Sequence, residues 1–320
     1  LLVPITSQYG LVGLLLTTFV AGVILVIMAI LRLGRFIEYI PESVVLGFTC
    51  GIALVIAILQ VKDVLGLPLA SLPDEFIHKL PVLVTAVPDM HWPSLLVAAV
   101  TLFIMIVWPR LRLPLPGHLP ALVVASVLAF AMHEAGFATD TIGSRFSYLL
   151  ADGTVGMGIP AAIPTFQWPW QHADKVWQAL TIDWQLVKSL LPAAFAIAML
   201  GAIESLLCAV VLDGMSSQRH SANSELLGQG IGNMIVPFFG GITATAALAR
   251  SAANVRAGAV SPLSAMFHSA TVFAALLMLT DLLNFVPMAA MAALLLVVAW
   301  NMSEAHKAIQ LLKTAPRTDI

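Results

Sequence analysis

Gly240-Gly241-Ile242-Thr243-Ala244-Thr245-Ala246-Ala247-Leu248-Ala249-Arg250-Ser251 is the stretch on which the reading of this chain turns. It lies within residues 223 to 257, which are apolar but broken in pattern and too few for two full membrane helices and a loop. The expectation is one helix up to about Pro237, a non-helical break from Phe238 to Thr243, and a half-helix from about Ala246 to Arg256. At membrane depth such a break is tolerated only where protein or a water-filled cavity satisfies the freed backbone groups. It therefore marks a cavity. The first turn of a helix leaves N–H groups unpaired and carries about half a positive charge, which makes it an anion site when aimed into a cavity. The glycines allow the turn, Thr243 and Thr245 can cap the helix or bond a ligand, and Ala244, Ala246, Ala247 and Ala249 keep the approach open. Arg250 either adds a full positive charge to the cavity or, as preferred for Arg256, marks the cytoplasmic boundary.

Composition supplies the solvent for that argument. The 320 residues are 60% hydrophobic and 10% charged, with a mean hydropathy of +0.96. Ordinary soluble domains are about 45 to 50% apolar and about 25% charged, so a water-soluble enzyme or nucleic-acid binder is excluded and the chain belongs in a lipid bilayer. A net charge of −2 offers no field for a polyanion. The chain opens at Leu1 without an initiator Met and closes at Ile320 just after a charged stretch, and is expected to be a fragment. Cys50 and Cys208 stand in apolar runs with no metal-ligand spacing around them, as small buried hydrophobes. No metal or cofactor is expected.

Working outward, apolar runs of roughly span length occur at residues 11–31, 43–61, 94–108, 119–132, 189–212, 262–280 and 288–303. They lack the two-residue alternation of a barrel strand. Arg32 and Arg35, Arg110 and Arg112, Arg219, and Lys307, Lys313 and Arg317 mark four cytoplasmic loops, with residues 62–93 and 133–188 as loops on the opposite side. Trp92, Trp108, Trp168, Trp170, Trp177 and Trp184 fit an interfacial belt. The tail Glu304–Lys313 is amphipathic and is expected to lie along the interface.

One charge interrupts the run 189–212. Glu204 costs about 2.5 to 3.5 kcal/mol to insert near a span centre, so it should face a cavity, a partner or an ion path. Gly201 and Cys208 share its helix face and leave room beside it. A carboxyl in that setting can exchange a proton during a transport cycle, and the bland alternative is a structural carboxylate bonded to another helix. His268, a lone intramembrane histidine, reads as packed and hydrogen-bonded. Asn223, Glu225 and Asn233 belong to the helix before the break, with Glu225 at its solvated start.

Three motifs together resemble the sulfate permease (SulP) family, the bacterial branch of solute carrier family 26. They are Tyr39-Ile40-Pro41 leading to Gly47-Phe48-Thr49-Cys50-Gly51, then Leu200 to Leu207, then Gly240 to Gly258. The resemblance covers nearly the whole chain. It implies an all-α membrane fold of fourteen segments in two inverted seven-segment repeats, with discontinuous half-helices and a cytoplasmic STAS domain. On that plan the chain, residues 1–320, is part of one transmembrane transport domain, about segments 4 to 12. The resemblance further implies an anion held between two half-helix tips and a cation coupled at the Glu204 position. Relatives that use sodium often carry Asp there and Thr one turn later, so Glu204 with Cys208 points to protons. The stretches Glu204–Gly214 and Met291–Lys307 resemble the C4-dicarboxylate carriers of the family.

The resulting expectation is a multi-pass carrier of the bacterial inner membrane that imports succinate, fumarate or aspartate with protons. A core bearing Glu204 and the half-helix would move past a gate formed partly by residues 43–61 and 262–303. Sulfate or bicarbonate is the alternative substrate, and a homodimer is possible. An intramembrane Ser/His protease lacks a Gly-x-Ser-x-Gly elbow paired with a membrane histidine. A passive scaffold explains the apolar runs but neither the buried acid nor the broken helix.

Overall fold

The computed structural model describes residues 2–37, 42–69, 72–73, 76–111, 115–149, 154–171, 183–216 and 218–303. The helices in chain order are α1 (Leu2–Ile30), α2 (Gly34–Ile37), α3 (Glu42–Leu65), α4 (Phe76–Ala86), α5 (Trp92–Val107), α6 (His118–Glu134) and α7 (Ile142–Arg145). After a short hairpin of β1 (Ser147–Leu149) and β2 (Val155–Met157) come α8 (Trp184–Ser216), α9 (Ala222–Ile235), α10 (Leu248–Arg256), α11 (Leu263–Met278), α12 (Thr280–Asn284) and α13 (Met288–Met302). Among the described residues, Pro4–Ile30, Trp92–Leu111 and Trp184–Ser216 are long and apolar enough to cross a bilayer, and three shorter apolar helices accompany them. The motif Tyr39–Pro41, Arg112, Trp177 and the tail from Glu304 lie outside the described residues.

The chain divides into two compact units, residues 1–42 with 163–265, and 43–162 with 266–320. The second holds residues 43–61 and nearly all of 262–303, the segments assigned above to the gate. The first holds Glu204 and the broken helix.

In the first unit α1, α8 and α9 form the core. Leu14, Ala21, Leu25 and Met28 of α1 pack with Leu190, Ala194, Ile197, Ala198 and Ala202 of α8 and with Ala222 and Leu226 of α9. Small residues let these helices approach closely, which drives association where no hydrophobic effect acts between them. The tightest crossing is α1 on α9. A Cβ at Gly22 would stand 2.8 Å from the Gly230 carbonyl oxygen, and one at Gly230 would stand 2.9 Å from the Gly22 oxygen. The first apolar run extends back to Leu2, with a kink at Gly10 (φ 65°, ψ −166°).

In the second unit Val97 and Ala98 of α5, Ala125, Ala129 and Met132 of α6, and Ala289, Ala290 and Ala293 of α13 make the core. At one end Arg145 bridges Asp140 (2.8 Å) and Asp63 (3.2 Å), and the backbone of Asp140 and Ile142 bonds to Met288 and Val286. Asp63, Asp140, Arg145 and Met288 line a cavity of about 250 Å³ together with His91 and Ser94.

Several expectations need correction. Residues 62–93 are not simply a loop, because α4 forms there and buries Leu83 and Ala86. Eleven residues are too few for a span, which hid this helix from a search for spans. His268 is exposed on α11, a helix without a buried residue, so it is not packed. Cys50 is half-buried, and its Sγ donates to the Ser303 carbonyl at 2.8 Å.

Candidate functional site

The site lies within the first unit and begins where α9 stops. A 3₁₀ turn at Val236–Phe239 carries Pro237, which lacks an N–H, and ends on Gly240 in the left-handed region (φ 74°, ψ 10°). The N–H groups of Gly240 and Gly241 return to the carbonyls of Pro237 and Val236 at 3.2 and 3.0 Å. From there to Ala247 the chain has no regular structure. Aromatic rings brace the turn. Phe166 stacks on Phe238 (5.5 Å, 7°), Phe19 and Trp168 meet Phe238 edge-on, and Gln167 N–H donates to the Phe238 carbonyl at 2.8 Å.

Four consecutive residues are then held by side chains from three helices. The Thr18 hydroxyl of α1 gives its proton to Leu14, so the Thr243 hydroxyl donates to Thr18 Oγ1 at 2.9 Å. Asn233 of α9 accepts from Ala244 N–H (3.0 Å) and donates to the Ala244 carbonyl (3.1 Å). The Thr245 hydroxyl donates to Glu204 Oε2 at 2.9 Å, and Ala246 N–H donates to Ser205 Oγ at 3.2 Å. Glu204 is half-buried and Ser205 is buried on the same α8.

These contacts move the start of the half-helix. It begins at Leu248 rather than Ala246, because Ser205 has taken the Ala246 donor and Ala247 is extended (φ −109°, ψ 93°). Ser251 N–H makes the first bond back to the Ala247 carbonyl. Of the residues assigned to the anion, Ala244 and Ala246 have thus given their N–H groups to Asn233 and Ser205. Among the described residues the N–H groups of Thr245, Ala247, Leu248 and Arg250 take no partner, and they surround the positive tip of α10; the Ala249 side chain lies outside what is described. Thr243 is turned toward Thr18, and Arg250 is exposed in the first turn.

Space beside the acid comes from Gly201. A Cβ there would stand 2.8 Å from Gln229 Nε2 and 3.3 Å from Thr245 Cγ2. Cys208 is buried one turn beyond Glu204 on α8. Gln229 has a buried Oε1 without a partner among the described residues.

The sequence reading missed Asn233, Gln229, Ser205 and Thr18. Gln229 and Asn233 stand four residues apart in a Gly-rich apolar helix. Amides on one face of a span are costly enough to signal a partner.

Comparison with known proteins bears on this arrangement. The model of the sulfate permease family matches residues 3–319. The putative sulfate transporter YvdB of Bacillus subtilis is 38% identical over 313 residues, 98% of this chain and 55% of its own. The solved transmembrane domain of a cyanobacterial bicarbonate transporter, BicA, superposes with a TM-score of 0.76 at 27% identity, covering 98% of this chain and 72% of that one. Murine Slc26a9, an anion transporter, shares the fold alone, with a TM-score of 0.77 at 20% identity, covering 97% and 47%. The chain spans about half the length of the curated relatives it matches.

Proposed function

The chain belongs to the sulfate permease family, and from that premise we propose that it is part of the transport domain of a secondary active anion transporter. In this reading the anion sits on the free N–H groups from Thr245 to Arg250, with the Arg250 guanidinium adding a full charge. The small side chains of Ala244, Ala246 and Ala247 leave the tip accessible. Glu204 carries the proton, and Cys208, buried one turn beyond it, belongs to the same coupling region.

The observation that carries this reading is the 2.9 Å bond from Thr245 to Glu204. It connects the acid to a residue whose own N–H is one of the free donors. An ionised Glu204 and an anion at the helix tip repel each other in a poorly solvated pocket. A proton on Glu204 removes that repulsion, so proton and anion favour each other's binding by equal factors. Joint binding is symport, and the function is carriage of solute rather than catalysis.

C4-dicarboxylates are the proposed cargo, imported across the bacterial plasma membrane. The support is the local likeness of Glu204–Gly214 and Met291–Lys307 to carriers of that class. A second reading, sulfate or bicarbonate, is favoured by what the relatives' names say those proteins carry. Uptake into proteoliposomes bearing the whole protein, with labelled succinate, sulfate and bicarbonate and an inward proton gradient, separates them. The expected result is gradient-driven succinate accumulation. Accumulation of sulfate or bicarbonate without succinate selects the second reading, and no gradient dependence for any anion removes the proton from the mechanism.

A further inference from the structure

The amide of Asn233 does something no other side chain in the site does: it pairs with both backbone groups of one residue. Its Oδ1 accepts from Ala244 N–H at 3.0 Å, and its Nδ2 donates to the Ala244 carbonyl at 3.1 Å. Asn233 is only 2% exposed. The pair imitates one rung of a β-ladder, with a side chain in place of the neighbouring strand. Ala244 sits in the break, where neither helix nor sheet supplies a partner for its backbone groups, and the Gln229 amide also reaches its carbonyl, at 3.5 Å.

The consequence reaches the donors. Ala244 is followed by Thr245, whose hydroxyl binds Glu204, and four residues later by the first turn of α10. Thr243 and Ala246 are held by one hydrogen bond each, both through hydroxyls that can rotate. The two bonds of Asn233 are planar and opposed in polarity, so they fix Ala244 against sliding as well as against rotation. Asn233 is itself fixed, one turn beyond the Gly22–Gly230 crossing of α1 on α9.

We infer that Asn233 is the positioning residue of the anion site: it sets the register of the extended segment 243–247 and so aims the free N–H groups at the tip of α10. The inference rests on the carrier reading for its function but not for its geometry, and its test has one arm for each.

Asn233→Leu keeps the branching at Cγ and removes both bonds. Asn233→Asp keeps the shape, and its carboxylate can accept from Ala244 N–H but faces the Ala244 carbonyl with like polarity. Once protonated, that carboxyl regains a donor and restores both bonds. In proteoliposomes the expected result is a KM for the transported anion raised about tenfold in both variants, with a smaller change in Vmax. For Asn233→Asp the ratio to the unmodified protein should recover as pH falls from about 7 to about 5, because the protonated carboxyl donates again to the Ala244 carbonyl. Glu204, bonded to the next residue, is present in both proteins, so the ratio isolates residue 233. Asn233→Leu should show no recovery.

The second arm is hydrogen–deuterium exchange on the protein in lipid nanodiscs without substrate. Peptides covering 243–250 should exchange about tenfold faster in Asn233→Leu, with α1 and α8 unchanged. Unchanged exchange there, or a normal KM in both variants, overturns the inference. Faster exchange throughout the first unit overturns it too, since Asn233 would then be a general support of the fold. Should the unmodified protein carry no anion, the carrier reading falls alone, and the exchange arm still decides the role of Asn233.

Discussion

Two polar clusters, one in each unit, hold their acids in opposite ways. In the second unit Arg145 binds Asp140 and Asp63, so that charge meets charge and the cluster is closed on itself. In the first unit Glu204 receives a neutral hydroxyl, and no side-chain cation answers it among the described residues. Nearby backbone donors are free. A closed ion-pair cluster contributes fold, and modestly so where its members are partly exposed. An acid bonded to a hydroxyl beside free donors keeps a charge and a set of hydrogen bonds available to a ligand. The presence of charge in a membrane protein is therefore a weaker guide than whether that charge is already answered.

That contrast breaks most sharply at the acid. Glu204→Gln can still accept from Thr245 but cannot take up a proton, so gradient-driven accumulation in proteoliposomes should fall to background while bound anion remains detectable by equilibrium binding. A variant that still concentrates substrate against its gradient would make Glu204 a structural acid like Asp63. Next in size, Gly201→Val places methyl groups where Gln229 and Thr245 already crowd the space. Transport should drop by about a hundredfold, with the protein still in the membrane by immunoblot.

Thr245→Val sharpens the same comparison by removing the hydroxyl and keeping the shape. Loss of that bond is worth about 1 to 3 kcal/mol, read as roughly a tenfold weaker dependence of uptake on the proton gradient. The smallest effect belongs to the other cluster. Arg145→Gln should lower stability by less than about 1 kcal/mol, measured as a small shift in thermal midpoint, and leave the KM for the transported anion unchanged. A large transport defect there would erase the distinction between the two clusters.

Legibility followed the range of the physics. The position of the break was readable, because Pro237 and Gly240-Gly241 act on their own backbone and need no partner to end a helix. Glu204 was readable because a carboxyl in an apolar run is costly wherever it points. The beginning of the half-helix was misjudged by two residues, since Ser205 lies 41 residues from the N–H it captures. The helix α4 escaped notice because a short segment inside a loop gives no span-length run. Asn233 was noticed only as part of a helix, although an amide in a buried turn requires a bonding partner.

The amino-acid order alone carried the apolar composition, the interruption at Pro237–Gly241 and the placing of a carboxyl inside an apolar run, since each follows from local backbone geometry or from the cost of moving a residue out of water. Only the tertiary structure decided which groups answer the freed backbone. Thr243 meets Thr18 across 225 residues, Thr245 meets Glu204 across 41 and Ala244 meets Asn233 across 11. Hydrogen bonds at about 3 Å demand a placement that no local pattern encodes. The packing of α1, α8 and α9 supplies it, and with it the choice of which donors remain free.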